Sequence, residues 1–416
     1  VRCFSEWLRA EGYYCTNNRK TDYQFQEPVT AWDECDVDAH WRKRPDGKPF
    51  FAIFNFLTTH ESRIWTQGGE PLLVEQEKVP IPPYHPENPR VRRDYARKYS
   101  NIAEMDRQAG IILQQLEEDG LLDSTIIFFY SDHGGMLPRE KRELYDSGLK
   151  VPLIISFPGT SDDGIVDDQL VSFVDFAPTA LSLAGVEIPD YMQGQAFLGD
   201  QKSEERKYIY GARDRMDTEY DMVRAVRDKQ FKYLKNYYPD RPFIQEIEYR
   251  KQIPMMRELY RFEEEGLFTG KDSLWWRKTK PVEELYDTYA DPYEFNNLAE
   301  NPDYEEKLVE LRKALAELQS RVGDKGFIPE SELILQMWGG NTQPVTDEVK
   351  FSMDNDQLIM TCETPGSSIG WRYKGQGNPD QWFLYTGAFT PESEKTIEAQ
   401  AIRIGYKHSE IVKLDL

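Results

Sequence analysis

The sequence predicts an α/β fold built on a mostly parallel central sheet flanked by helices. Three observations carry that reading. Short apolar runs at 50–57, 125–130 and 151–157 are rich in aromatic and β-branched residues and bounded by Gly, Pro or polar clusters, as buried strands are. A long helical pattern at 93–122 stands between the first two, as a strand–helix–strand crossover requires. The first two runs end abruptly, in Thr58-Thr59-His60-Glu61-Ser62 and in Ser131-Asp132-His133-Gly134-Gly135. In open α/β sheets, ligands sit just beyond the carboxyl ends of the strands.

The bulk properties agree with a folded, solvent-exposed molecule. A chain of 416 residues has room for two or three domains. At 39% hydrophobic and 13% aromatic it can bury a large core. A net charge of −22 disfavours nucleic acid as a partner and favours solubility. It leaves room for an anionic substrate, because a basic pocket can sit in an acidic molecule. No apolar run is long enough to span a bilayer, and no signal peptide is visible ahead of Val1, which begins in mid-pattern. Cys3, Cys15, Cys35 and Cys362 are too few and scattered for a disulfide framework or a zinc site. Free thiols are expected, with room for one bonded pair.

Taken in order, 4–14 places Phe4, Trp7 and Leu8 on one face and then Gly12, a short amphipathic helix with a glycine stop. Cys15-Thr16 is strand-like. The polar stretch 32–41 reads as helical, Pro45-Asp46-Gly47 as a turn, and 50–57 as a strand. Pro-rich 79–89 is an extended surface loop. In 93–122, Tyr95, Tyr99, Ile102, Met105, Ile112, Leu113 and Leu116 recur near a 3.6-residue period until Gly120. The segment 168–189 reads as a strand, then Asp175 as cap, then a helix from Pro178 ended by Gly185. Short antiparallel strands follow at 208–211, 222–226 and 231–234, and an amphipathic helix at 304–322. A linker at 336–344 leads to strand-like runs near 349–353, 357–362, 382–385 and 396–405. These divide the chain into 1–200, 201–335 and 345–416.

A carboxylate and an imidazole leaving a strand together, Asp132 and His133, suggest a metal or anion site; Asp132 supplies the hard oxygen that suits Ca2+ or Mg2+. His60 ends its strand in the same manner, with Glu61 or Ser62 placed to orient the ring. Arg139 and Arg142 read as loop charges.

Several stretches resemble the formylglycine-dependent sulfatases of the alkaline-phosphatase superfamily. They are SDHG at 131–134, Lys141 four residues before Tyr145, YDSGLKVPLII at 145–155 and Phe157-Pro158-Gly159. The run Leu8-Arg9, Gly12-Tyr13 and Thr16, the hairpin at 220–235, Glu284-Leu285-Tyr286-Asp287 and the stretch 291–298 extend the likeness. The variant it is most similar to is the heparan-N-sulfatase-like bacterial polysaccharide sulfatase. That resemblance implies catalytic roles for Lys20, His60 and Lys141, with the lysines offsetting sulfate charge. It implies Ca2+ at Asp132 and His133, and Lys150 as a basic residue behind the site. Asp22 falls where the family has a histidine, which leaves the proton donor open, and is assigned with Arg213 and Arg215 to substrate. Paired guanidinium groups suit sulfate or carboxylate on a sugar, the alternative being a salt-bridged surface loop.

The family's nucleophile is a Cys or Ser in Cys/Ser-x-Pro-x-Arg, oxidised to formylglycine. No such motif occurs here, nor do the paired aspartates of the family's first strand. Cys15 has Arg19 four residues on but no Pro, and reads as a structural cysteine. The sequence thus looks as if it starts after the nucleophile, and the chain alone is expected to be inactive. The implied activity is sulfuric ester hydrolysis on a sulfated polysaccharide or oligosaccharide, in a periplasmic or secreted bacterial protein. Nucleic acid is not expected as a partner. The rivals are a phosphatase or phosphonate hydrolase of the same superfamily, and a non-catalytic sulfatase-like carbohydrate-binding protein. The tail resembles the small fibronectin-like β-sandwich of glycoside-acting enzymes, where Trp371, Trp382 and Tyr385 serve either sugar contact or, more simply, the core.

Overall fold

The computed structural model describes residues 1–159, 164–376, 378 and 381–416. Its helices are α1 (Phe4–Ala10), α2 (Arg63–Thr66), α3 (Pro89–Glu118), α4 (Asp146–Leu149), α5 (Phe176–Leu183), α6 (Pro254–Glu264), α7 (Glu305–Val322) and α8 (Glu330–Trp338). The strands are β1 (Tyr14–Asn18), β2 (Phe50–Phe54), β3 (Ile127–Tyr130), β4 (Leu153–Ser156), β5 (Ile209–Met216), β6 (Glu219–Arg227), β7 (Phe231–Asn236) and β8 (Glu283–Asp287). They continue with β9 (Lys350–Asp354), β10 (Gln357–Thr361), β11 (Ser368–Tyr373), β12 (Phe383–Leu384), β13 (Thr396–Ile402) and β14 (Val412–Asp415). These elements group into two units that interleave along the chain: Val1–Asn55 with Val171–Glu205 and Phe327–Leu416, and Phe56–Leu170 with Arg206–Gly326.

In the first unit β1 and β2 pair in parallel, Tyr14 opposite Phe50 and Asn18 opposite Phe54. Leu8, Cys15, Ala31, Trp32, Leu181 and Val186 form the core beside them. Cys15 is fully buried and burial, with Asp33 nearby, pushes its thiol far above the usual range, so it is the structural cysteine expected. All four cysteines are free. The helix expected at 32–41 does not form. Asp33 accepts hydrogen bonds from Arg9 (2.8 Å) and the Cys15 N–H (2.8 Å), Asp36 accepts from the Asp38 N–H (2.7 Å), and His40 caps a short 3-10 turn, Trp41–Lys43. Short acidic side chains that bond backbone N–H groups in this way compete with the helix. The strand expected before Asp175 is also absent: a 3-10 turn at Phe173–Asp175 leads into α5, which starts at Phe176 rather than Pro178. The linker expected at 336–344 begins inside α8, which Gly339 ends in the left-handed conformation (φ 70°).

The tail forms two small sheets, the hairpin β9–β10 and the order β12-β11-β13-β14, which share a core of Val349, Leu358, Met360, Ile369, Ile397, Ala399 and Ala401. Trp382 is buried beneath Arg372, Trp371 stacks on Phe389 at 4.3 Å, and Tyr385 packs against the core. Packing therefore accounts for all three aromatics.

The second unit carries most of the candidate residues. Asn88 caps α3 by accepting from the Arg90 and Val91 N–H groups, with Pro89 in the first turn, and Gly120 (φ 67°) follows the helix end. Burial is concentrated in its first half, at Val91, Asp94, Tyr95, Ala96, Arg97, Ser100 and Asn101, whereas Ile102 and Leu113 are exposed. Beyond α3, β3 pairs with β4 antiparallel, Ile127 opposite Ser156 and Tyr130 opposite Leu153. The two runs are thus not parallel neighbours. The Gly134 and Gly135 N–H groups bond back to the Gly148 and Ser147 carbonyls, so the two limbs of the intervening loop run antiparallel and carry that direction into β4. Neither strand is fully buried, Ile154 being 62% exposed. The sheet β5-β6-β7-β8 is antiparallel throughout, as expected, and α7 lays Leu308, Leu311 and Leu315 against Val226, Tyr233 and Leu285. Among the described residues no helix is long and apolar enough to cross a membrane.

Asp94 ties α6 to α3, its carboxylate accepting the Met255 N–H (2.6 Å) in the first turn of α6. Burial pushes the Asp94 carboxyl from 3.8 to about 6, against the pull of the Met255 N–H and of Arg90, Arg93 and Arg257. A raised carboxyl means that the native state holds more protons than the unfolded one in that window, so this group makes stability fall as pH rises from about 4 to about 6. Asp94→Asn should remove that slope while keeping an acceptor for Met255. Asp94→Ala should cost about 1–2 kcal/mol by orphaning the N–H. Urea melts at pH 4.5 and 7.5, as two chosen conditions near ~4 and above ~6, compare the variants; an undiminished slope in Asp94→Asn would count against the assignment.

Candidate active site

The excursion from β3 to β4 is where the chemistry-bearing side chains gather. Its glycines explain the spacing of the motif. The Gly134 N–H donates to the Gly148 carbonyl (2.8 Å) and the Gly135 N–H to that of Ser147 (3.0 Å). A Cβ on Gly134 would overlap the Ser147 carbonyl, one on Gly135 the Glu140 carboxylate, and one on Gly148 the carbonyls of Glu140 and Glu143. The two limbs of the loop therefore lie backbone to backbone, which only glycine permits.

Between those limbs nearly every charged residue is held in place by a partner from elsewhere in this unit. Glu140 is buried, with both oxygens 2.8 Å from Lys98 Nζ on α3 and one accepting the Leu137 N–H. Arg139, also buried, lies over the rings of Tyr84, Tyr145 and Phe295 at 4.6, 4.5 and 5.6 Å and donates to the Tyr293 carbonyl. Arg142 forks onto Glu61 (2.7 and 2.9 Å). Glu143 accepts from Arg213 (2.5 Å), which also pairs with Asp221 (2.5 Å). Asp146 receives Lys232 (2.5 Å) and Arg227 (3.0 Å), and Lys232 continues to Glu294 (2.8 Å). Arg139 and Arg142 both carry positive φ, 61° and 78°, a conformation that costs a non-glycine residue on the order of 1–2 kcal/mol. They are clamps, not the loop charges the sequence suggested.

Lys141 stands between these two arginines. Its Nζ lies 2.9 Å from Glu61, a carboxylate only 1% exposed. Burial would raise the Glu61 carboxyl, but Arg142 and Lys141 outweigh it and hold it below the ordinary value. Two cations share one carboxylate, so the trio presents a net positive charge within an acidic protein. His133 is near enough for Lys141 and Glu61 to act on it; burial, with Lys141, keeps its imidazole below the ordinary value. His133 Nδ1 faces the Gly134 carbonyl (2.9 Å) and so carries the proton, leaving Nε2 as the lone-pair nitrogen, 3.8 Å from Asp132 Oδ1. At His60, Nδ1 accepts the Ser62 N–H (3.3 Å) and meets the Ser62 hydroxyl (2.8 Å), which assigns the ring proton to Nε2. Ser62 orients His60, and Glu61 orients Lys141.

The remaining candidates fall elsewhere. Arg213 is buried against Glu143 and Asp221, which withdraws it from any substrate; the alternation Arg-Asp-Arg concealed a core position because β5 bulges between Arg213 and Arg215. Arg215 is exposed, 5.9 Å from the Tyr220 ring. Lys150 ends α4, exposed, and its charge helps hold the Asp146 carboxyl low. Lys20 and Asp22 belong to the first unit, 3.9 Å apart on a loop after β1, with Asp22 exposed. Glu61, Glu143, Lys232 and Glu294 were not singled out as clamps. Their partners lie some 60 to 150 residues away in sequence, and no local pattern announces them.

Asp132 and His133 offer two donors to a divalent cation. Among the described residues no group of three His, Cys, Asp or Glu side chains is placed to hold one. A Ca2+ ion takes about 6–8 oxygens, so the pair furnishes only part of a shell.

Residues 4–186 match the sulfatase family model, and 135–265 that of the N-sulphoglucosamine sulphohydrolase C-terminal region. An ulvan-active sulfatase of Formosa agariphila is 49% identical over 452 residues, covering 100% of this chain and 76% of that protein. The human N-sulphoglucosamine sulphohydrolase is 27% identical over 303 residues, 68% of this chain and 58% of that one. A solved structure described as in complex with its substrate D-glucosamine-2-N,6-O-disulfate shares the fold (TM-score 0.54, 19% identity, 79% of this chain and 84% of that one).

Lys232→Met should destabilise the protein by about 3–5 kcal/mol, because it leaves Asp146 and Glu294 buried without their shared cation. Thermal melts of the variant, with Lys229→Met as an exposed control, test this; equal midpoints would show that the network contributes nothing.

Proposed function

The chain belongs to the sulfatase family, and from that membership we propose that it releases sulfate from a sulfated polysaccharide or its oligosaccharides, with ulvan the first substrate to try. The observation that carries the reading is the Lys141–Glu61–Arg142 trio beside His133. It sets one positively charged amine, fixed by buried partners, at the mouth of the β3 loop, and a sulfate ester carries one negative charge to meet it. The 49% identity to an ulvan-active sulfatase supports the substrate class.

In this reading the S–O bond to the leaving alcohol breaks as water is consumed, giving alcohol and sulfate. Lys141 offsets charge on the sulfuryl oxygens, as a preorganised cation does without reorganising at the moment of reaction. His60, with its proton on Nε2, gives that proton to the leaving oxygen. Lys20 is carried as a second sulfate cation and Asp22 as a substrate contact on family resemblance alone, and Arg215 as a substrate contact because a guanidinium group suits sulfate or carboxylate on a sugar. Formylglycine as nucleophile and Ca2+ as cofactor are properties of the family. Export to the periplasm or beyond suits an enzyme whose substrate is a polymer.

In the full-length gene product, Lys141→Ala should lower kcat/KM for sulfate release from ulvan oligosaccharides by ~100-fold or more. His60→Ala should lower it further on sugar sulfates than on an aryl sulfate, whose phenolate leaves without a proton. Ion chromatography of released sulfate reads both. Unaltered turnover in Lys141→Ala would remove the basis of the proposal.

A further inference from the structure

Beside His60 the surface turns aromatic. The ring of Tyr249 lies 6.4 Å from the His60 imidazole and 5.2 Å from the indole of Trp65, which meets it edge-on at 79°. Tyr249 is 37% exposed, while Trp65, on α2, is partly buried against the main core of this unit. An edge-to-face contact of this kind fixes the ring's orientation, and its 37% exposure leaves part of the tyrosine open to solvent.

The segment that carries Tyr249 is not a loose loop. Its neighbour Arg250 is buried, donates to the Gln245 carbonyl, stacks over Trp275 at 5.1 Å and approaches Glu143 at 3.8 Å. Glu143 is two residues beyond Lys141 and is itself held by Arg213. The exposed tyrosine is thus tied to the same loop that positions the amine. Its distance from His60 is roughly the breadth of one pyranose, and pyranose rings present apolar C–H faces that stack on aromatic side chains.

We propose that Tyr249, backed by Trp65, is the platform on which the sugar ring bearing the scissile sulfate stacks, and so a specificity-determining residue for a carbohydrate over a smaller sulfate ester. This rests on the sulfatase reading of the site. It adds a face that selects the alcohol part of the substrate, where the Lys141 trio selects only charge. The phenol hydroxyl is not required, only the ring.

The test uses the full-length gene product and its Tyr249→Ala and Tyr249→Phe variants, with ulvan oligosaccharides and inorganic sulfate as probes. Binding of the oligosaccharide is followed by calorimetry and turnover by sulfate release. Tyr249→Ala should weaken oligosaccharide binding and raise KM by about 10-fold or more. Tyr249→Phe should stay within about 2-fold of wild type, and the inhibition constant of inorganic sulfate should move in neither variant. Binding that depends on Tyr249 without any sulfate release would sink the sulfatase reading and leave the platform standing. Normal release with unchanged KM in Tyr249→Ala overturns the platform, as does an equal loss in Tyr249→Phe, a parallel shift of the sulfate constant, or no oligosaccharide binding by the wild type.

Discussion

Two consecutive clamps, Arg139 among three rings and Arg142 forked on Glu61, hold a backbone that would otherwise not stay where it is. Both arginines sit in the left-handed region, and Lys141 lies between them. A lysine is a flexible cation with about 2 kcal/mol of rotamer freedom to lose. Fixing the backbone on both sides of it, and giving its amine one buried carboxylate to lean on, removes much of that freedom before any ligand arrives. Local strain is tolerated because the surrounding contacts over-determine it.

Those contacts are mostly ionic and mostly buried, which shapes what they do. A buried ion pair gains little net stability over an apolar replacement, since each charge first loses its water. Its loss on one side only is costly. The network Lys98–Glu140, Arg213–Glu143, Arg227–Asp146 and Lys232–Glu294 therefore acts more as a device for one conformation than as a source of strength. It also joins distant parts of the chain, since α3, β5, β6, β7 and the turn at Glu294 each contribute one partner to a loop of a few residues. The aromatic side of the site is joined through Arg250 to the same place.

Much of this was legible in the sequence, and the boundary has physical causes. The glycines 134, 135 and 148 fall within the stretches the sequence singled out, but the close backbone approach that requires them shows only in the fold. The glycine stop of α3, the strands β5 to β7 and the tail strands β9, β10, β12 and β13 followed from local patterns that need no distant partner, whereas the start of α3 at Pro89 lay in a stretch read as a loop. The stretch 32–41 misled because its helical composition is overruled by Asp33 and Asp36 bonding backbone amides. The direction of β4 was hidden because an apolar run has no polarity of its own; the connection decides it. Arg139, Arg142 and Arg213 were misjudged for one reason: whether an arginine is solvated or buried depends on carboxylates and rings tens of residues away. His60, Asp132, His133 and Lys141 could be singled out as candidates because each lies at the end of a strand or within a motif, where sequence position alone suggests exposure to a ligand.

The net positive charge of the Lys141–Glu61–Arg142 trio is set in a molecule of net charge −22. A polyanionic chain approaching it meets repulsion at long range and attraction only at the last few ångströms. Dissolved ions weaken the first far more than the second, since the Debye length is about 10 Å at 0.1 M and the trio is partly buried. Encounter with a long polymer is thus a salt-assisted process, and short fragments, which expose fewer charges to the acidic surface, pass the same barrier more readily.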